Sequence, residues 1–306
     1  MRIRVLGTSA GGGFPQWNCA CANCSGVRSG KLRARPRTQS SVAVSARGKS
    51  WFLLNASPDV RVQMESFAPL GPPRGCSRGS CLDGVLLSNA DLDHTLGLFI
   101  LREGPPLTVH ASGPTRRALE EGLRLSSVLE SYAGIQWREP GDQFQTLLTR
   151  EGDPSGLSYA FLAILGKSPR YRGIPCRTAS GESVAMRIRD DETGGEFVYA
   201  PGVSSLDSSL LASFGQADLL LLDGTFFREE EMSRSGAGTL SAGEMGHVPV
   251  GGGEGSLERI RRLPIPHKVY VHINNTNPML DEDSPEHAQV KAAGMEVGWD
   301  GMEFSI

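Results

Sequence analysis

Three apolar runs, each breaking off into residues that can ligate a metal, constrain this chain more than any other feature. Leu82 to Leu87 ends in Ser88-Asn89-Ala90-Asp91-Leu92-Asp93-His94, and the run after Asp218 ends in Asp223-Gly224-Thr225. Lys268 to Val271 leads into His272-Ile273-Asn274-Asn275-Thr276-Asn277-Pro278. Short apolar runs bounded by polar clusters read as buried strands, and open α/β sheets carry their sites at the carboxyl ends of strands. The three strand ends make one coherent site only if the strands lie side by side. An α/β class follows, and 306 residues fit a single domain, 1–306, built around one large core.

The remaining elements are consistent with that class. Residues 2–7 alternate as a strand, 40–46 and 50–54 read as a hairpin turning at Arg47-Gly48, and 60–67 reads as helical. A helical stretch begins at Thr95-Leu96-Gly97-Leu98, and further strands are expected at 106–110, 158–165, 183–188 and 195–200. Residues 71–80, rich in Gly, Pro and Arg, read as a loop. A net charge of −3 offers no clustered basic surface for nucleic acid or an anionic membrane, so small molecules or peptides are the expected partners. No window approaches a spanning helix. Met1-Arg2-Ile3-Arg4-Val5 runs straight into a strand with no signal-like apolar segment, which points to the cytoplasm.

Asp91, Asp93 and His94 place two carboxylates and an imidazole within four positions, a donor set suited to Zn, Fe(II) or Mn. The plainer alternative is a local Asp93–His94 pair capping the next helix; the added presence of Asp223 and His272 at equivalent strand ends favours the metal. Two imidazoles and one carboxylate on one face of an ion leave positions open for oxygen and substrate, and Asp93, His94 and His272 supply that set, with Asp91 as an additional candidate ligand. His247, in the glycine-flanked Gly243-Glu244-Met245-Gly246-His247, reads as a catalytic or substrate-contacting group. Asp223 and Asn89 are counted with it. His110, His267 and His287 read as structural.

Cys19, Cys21 and Cys24 place three thiols in six residues, within a Cys-rich loop at about 14–30. That spacing suits a structural zinc, whose fourth ligand is not evident. Cys76 and Cys81 read as ordinary thiols, and Cys176 has no neighbouring base to activate it.

Several longer blocks carry a resemblance. They are Gly11-Gly12-Gly13-Phe14-Pro15-Gln16-Trp17-Asn18-Cys19, Arg37-Thr38-Gln39-Ser40-Ser41, Asn55-Ala56-Ser57-Pro58-Asp59, Asp93-His94-Thr95-Leu96-Gly97-Leu98, Tyr199-Ala200-Pro201-Gly202, Glu244-Met245-Gly246-His247, and His272 to Pro278 with Leu280 to Glu286. In these the chain resembles the metallo-β-lactamase superfamily, and within it the branch serving biosynthesis of the redox cofactor pyrroloquinoline quinone (PQQ). The resemblance implies a four-layer αββα sandwich. Superfamily hydrolases carry His-x-His-x-Asp-His where this chain reads Asn89-Ala90-Asp91-Leu92-Asp93-His94, and two further ligands are missing near Gly166-Lys167-Ser168 and Tyr199-Ala200-Pro201-Gly202. What survives suits one iron better than two zincs, although zinc or manganese also fits such a site.

The implied activity is Fe(II)- and O2-dependent hydroxylation of the tyrosine ring in a cross-linked Glu-Tyr precursor. The implied partners are that precursor or PQQ, other proteins of PQQ biosynthesis and a second copy of the chain as a homodimer. Two alternatives stand beside it: a metal-dependent hydrolase, and a carrier of PQQ or its precursor towards the periplasm. In the related phosphodiesterase branch a histidine three residues after the last active-site ligand completes the cysteine-bound zinc. Asn275 occupies that position here.

Overall fold

In chain order the strands run β1 (Arg2–Gly7), β2 (Ser41–Ser45), β3 (Trp51–Leu54), β4 (Leu82–Leu86), β5 (Leu107–His110), β6 (Ile135–Arg138), β7 (Gln145–Leu148), β8 (Pro154–Lys167), β9 (Thr178–Asp190), β10 (Glu196–Ala200), β11 (Leu219–Asp223), β12 (His267–Val271), β13 (Glu296–Val297) and β14 (Glu303–Ser305). This computed structural model describes residues 1–173 and 178–306, so Cys176 lies outside the described residues. The chain gathers into two compact units. One comprises Met1–Leu6, Ser41–Phe197 and Gly301–Ile306; the other comprises Gly7–Ser40 and Val198–Asp300.

The first unit holds a seven-stranded sheet in the order β14-β1-β2-β3-β4-β5-β6. β2 and β3 form the expected antiparallel hairpin, whereas β3, β4, β5 and β6 run parallel. Parallel neighbours need crossover connections. The helices Val60–Glu65, Leu92–Thr95 with Gly97–Ile100, and Gly113–Leu123 lie on these crossovers. Leu53, Val85 and Val109 from successive strands pack with Val60, Leu98 and Leu119 from the helices into one core. β8 and β9 form an antiparallel pair much longer than the sequence runs at 158–165 and 183–188, with β7 on the far side of β8.

In the second unit β11 pairs in parallel with β12, and β12 with β13. Every residue of β11 is buried, as its unbroken apolar run requires. The side-by-side expectation therefore holds for the strands ending at Asp223 and His272. It is corrected for the strand leading to His94: β4 belongs to the other sheet, between β3 and β5. β6, β7, β13 and β14 were not read from the sequence; β6, Ile-Gln-Trp-Arg, lies at the sheet edge with alternate residues exposed.

Candidate metal centre

In the first unit, His94 sits in the one-turn helix Leu92–Thr95 beyond the end of β4 and is buried. Its backbone is pinned from both sides: the Ala56 N–H donates to the His94 carbonyl at 2.8 Å, and the Gly97 N–H to the Ala56 carbonyl at 2.9 Å. A Cβ on Gly97 would stand 2.5 Å from the Ser57 carbonyl oxygen and 2.7 Å from that of Ala56, so only glycine permits this approach.

The imidazole is oriented by a short network. Asn89 Nδ2 donates to the Asp91 carboxylate at 2.8 Å and Asn89 Oδ1 accepts from the Asp91 N–H at 3.1 Å, which fixes which end of the amide is which. His94 Nδ1 lies 2.6 Å from that Oδ1, and an amide oxygen only accepts, so the ring proton resides on Nδ1. Ser88 Oγ stands 3.2 Å from the same nitrogen and is itself held by Asn55 Nδ2 at 2.9 Å. Asn55 reaches it from the end of β3 with a φ of 63°, a left-handed conformation that Asn tolerates better than most residues. His94 Nε2 is left to face the Asp93 carboxylate at 3.8 Å. Asp91 belongs to no convergent group of metal-competent atoms among the described residues.

The second unit holds a cluster of its own, Asp223, His247 and His272, whose ligand atoms lie within 4.8 Å of one another. Asp223 ends β11 and is buried. It accepts from His247 Nδ1 at 2.7 Å, from the Val203 N–H at 2.9 Å and from Thr225 Oγ1 at 2.6 Å. Burial alone would raise its carboxyl pKa, but the charge and hydrogen bond of His247, with His272 and Thr225, outweigh it and hold the group below its ordinary value. Thr225 Oγ1 has one proton and two acceptors in reach, Asp223 Oδ1 and the His272 carbonyl at 2.9 Å. Toward His272 Nδ1, 2.8 Å away, it therefore accepts. His247 and His272 stack with ring centroids 5.6 Å apart.

His94, His247 and His272 thus share one protonation pattern. Each commits Nδ1–H to an oxygen acceptor, so Nε2 is the nitrogen that a neutral ring would offer to a metal. Borderline nitrogen donors beside a carboxylate fit a first-row divalent ion. Thr225, Ser88 and Asn55 were not singled out by sequence reasoning; Asx and hydroxyl residues next to strand-end ligands are the signal that would have found them.

The thiols of Cys19, Cys21 and Cys24 converge as the spacing implied. Asn275 Nδ2 points into the middle of the three, 3.2, 3.6 and 3.3 Å from their sulfurs. For Cys19, burial works against ionisation, yet hydrogen bonds from Cys21, Cys24 and Asn275 bring its pKa below the ordinary thiol value. Cys21 is pushed up to about 11 by burial and by its neighbouring thiols. A set in which one thiolate forms readily and the next is opposed is what a cation relieves. Asn23, on the helix Ala22–Arg28, donates to the carbonyls of Asn275 and Asn277 at 3.1 and 2.9 Å, tying the cysteine loop to the His272 loop. Asn277 Nδ2 in turn donates to the Gly224 carbonyl at 2.9 Å.

Two of the histidines read as structural have defined polar contacts. His110 Nδ1 meets Tyr159 OH at 2.6 Å, and burial lowers its pKa to about 4. His287 Nδ1 donates to the Met279 carbonyl at 2.9 Å. Cys76 and Cys81 are free thiols.

Residues 50–273 match the family model of the β-lactamase superfamily domain. Coenzyme PQQ synthesis protein B of Pseudomonas putida (strain W619) is 42% identical over 319 residues, with 100% of both chains covered. The chain belongs to the coenzyme PQQ synthesis protein B family. The crystal structure of Zn2+-bound PqqB from Methylobacterium extorquens superposes with a TM-score of 0.90 at 38% identity, covering 100% of each chain. A diphosphatase from the PhnP family shares the fold at a TM-score of 0.67 and 18% identity, over 100% of this chain and 97% of its own. The fold is therefore that of the metallo-β-lactamase superfamily, with two mixed sheets flanked by helices. Among the described residues no helix is long and apolar enough to cross a membrane.

Proposed function

We propose that this chain acts in PQQ biosynthesis as a non-haem Fe(II)- and O2-dependent hydroxylase of the tyrosine ring in a cross-linked Glu-Tyr precursor. Asp93, His94 and His272 are the proposed ligands of a single iron. The observation that carries this reading is the common Nδ1–H pattern of the histidines, which leaves Nε2 of each as a donor beside a carboxylate. Asn89 stands where the hydrolases have a ligand and serves instead to orient His94. Asp91, engaged by Asn89, falls outside the ligand set in this reading. The name shared by the relatives supports the pathway. The zinc in the Methylobacterium extorquens relative supports a metal without identifying the working one, since zinc outcompetes Fe(II) for N/O donors.

Bound Fe(II) would supply the activation of O2. The protein's own part is to fix the imidazoles through Asn89, Ser88 and Thr225 and to handle a proton at His247. With Nδ1–H held by the ionised Asp223, His247 Nε2 is the basic nitrogen, and the buried carboxylate stabilises the imidazolium formed when it takes a proton. A second metal, zinc, is proposed for Cys19, Cys21 and Cys24, with the Asn275 amide turned so that Oδ1 takes the fourth position.

The test is anaerobic purification, metal counting and a single-turnover assay with precursor, O2 and a two-electron reductant. Wild type is expected to hold iron in addition to a tightly held zinc and to add one oxygen to the ring; His94→Ala is expected to lose the iron alone. Turnover without oxygen would point to a hydrolase, and precursor binding unchanged by iron removal with no product would point to a carrier. Either result rejects the proposal.

A further inference from the structure

Arg37 lies in the second unit and is only 7% exposed, yet among the described residues it forms no ion pair. Its Nε donates to the Gly298 carbonyl at 3.2 Å and its Nη1 to the Arg35 carbonyl at 2.8 Å. Among the described residues Nη2 has no hydrogen-bond partner. A buried cation without a bound counter-charge is expensive. Asp300, the carboxylate with the strongest influence on Arg37, is itself occupied by Thr8 Oγ1 at 2.7 Å and Thr38 Oγ1 at 2.8 Å.

Arg37 lines a cavity of about 240 Å3. Four cationic side chains, Arg33, Arg35, Arg37 and Lys291, face it against two carboxylates, Glu282 and Glu296. Glu282 is already shared by Arg33 at 3.1 Å and Arg35 at 3.6 Å. Arg33 is also paired with Asp283 at 3.0 Å, so the positive charge left facing the cavity is that of Arg35, Arg37 and Lys291. One wall is flat: Trp299 lines the cavity, and Arg35 stacks over its indole at 4.8 Å. His287, with Nδ1 committed to a carbonyl, also lines the cavity.

We infer that this cavity is an anion-binding site, separate from the Asp223–His247–His272 cluster, that takes a small ligand bearing carboxylate or phosphate groups. Arg37 would offer Nη2 from the floor, Arg35 and Lys291 would complete the charge, and Trp299 would favour a planar ligand. Guanidinium groups suit this role because their donors match the spacing of oxyanions. A volume near 240 Å3 admits a phosphate or a single carboxylated ring and little more.

The test is calorimetric titration of the full-length protein in a non-phosphate buffer at low salt. One arm uses inorganic phosphate and the other benzene-1,3,5-tricarboxylate, a planar carboxylate. Saturable one-to-one binding is expected in at least one arm, weakened by roughly tenfold or more in Lys291→Glu and in Arg37→Lys. Thermal melts check both variants, and Lys291→Glu keeps the test open if Arg37→Lys folds poorly. Binding of only one probe identifies the ligand chemistry and supports the site. His94→Ala is expected to bind the anion as wild type does, so a failure of the iron proposal leaves this one standing. Absence of saturable binding in both arms, equal binding by Lys291→Glu, or loss of binding in His94→Ala would overturn it.

Discussion

Asn89 Oδ1 accepts the Nδ1 proton of His94 at 2.6 Å, and the same amide holds the Asp91 carboxylate through its nitrogen. Asn89→Ala is therefore expected to free the ring to rotate and to exchange tautomers. Metal affinity at the iron site should fall about 10- to 100-fold, the usual effect of deleting such a partner. Competition titration with a chromophoric chelator reads it directly, and an unchanged affinity would show that packing alone orients His94.

Asp223→Asn tests the proton-handling role. The substitution keeps the shape but removes the charge that stabilises a protonated His247. The hydroxylation rate is expected to drop about 10²- to 10⁴-fold, with iron content retained. Loss of iron in step with activity would instead make Asp223 part of the metal's support.

His110 supplies a pH prediction. Its folded pKa is lowered by burial to about 4, below the ordinary 6.5, so the folded chain resists the proton that the unfolded chain accepts. The stability tied to this group is full above about pH 6.5 and declines as pH falls toward 4. The upper bound is roughly 3 kcal/mol. In His110→Gln the fall in Tm between about pH 7 and 5 should be shallower than in wild type. Equal slopes would mean that carboxylates dominate the acid limb.

Cys24→Ser is expected to release the zinc and lower Tm by about 5 °C or more. Because Asn23 clamps the carbonyls of Asn275 and Asn277, the damage should reach His272, three residues away, and weaken iron binding as well. Calorimetry and metal counting on one preparation separate the two effects. Iron affinity untouched by loss of the zinc would break the proposed linkage.

The parts of this architecture readable beforehand were those governed by local pattern. β11 announced itself as an unbroken apolar run and β12 as the short run Val269-Tyr270-Val271, and Asp93, His94, Asp223 and His272 followed as the polar residues at strand ends. β6 and β7 did not, because edge strands carry polar side chains and short edges have no periodicity to detect. That β4 belongs to the other sheet was invisible for a different reason: local pattern marks a strand as buried but does not name the strands it pairs with. The orienting network was the hardest to foresee. Thr225 meets His272 across 47 positions and Asn55 meets Ser88 across 33, so their roles arise from tertiary contact and not from spacing along the chain.

His272 occupies a left-handed backbone conformation, φ 55°, which is uncommon for a side chain with a Cβ and costs on the order of 1 kcal/mol. The chain would rest more easily with glycine there. His272→Gly should thus melt higher than His272→Ala although both lack the imidazole, which separates backbone relief from side-chain loss. Selection for thermal robustness alone would favour glycine at this position, so the residue marks a place where the fold trades durability for chemistry.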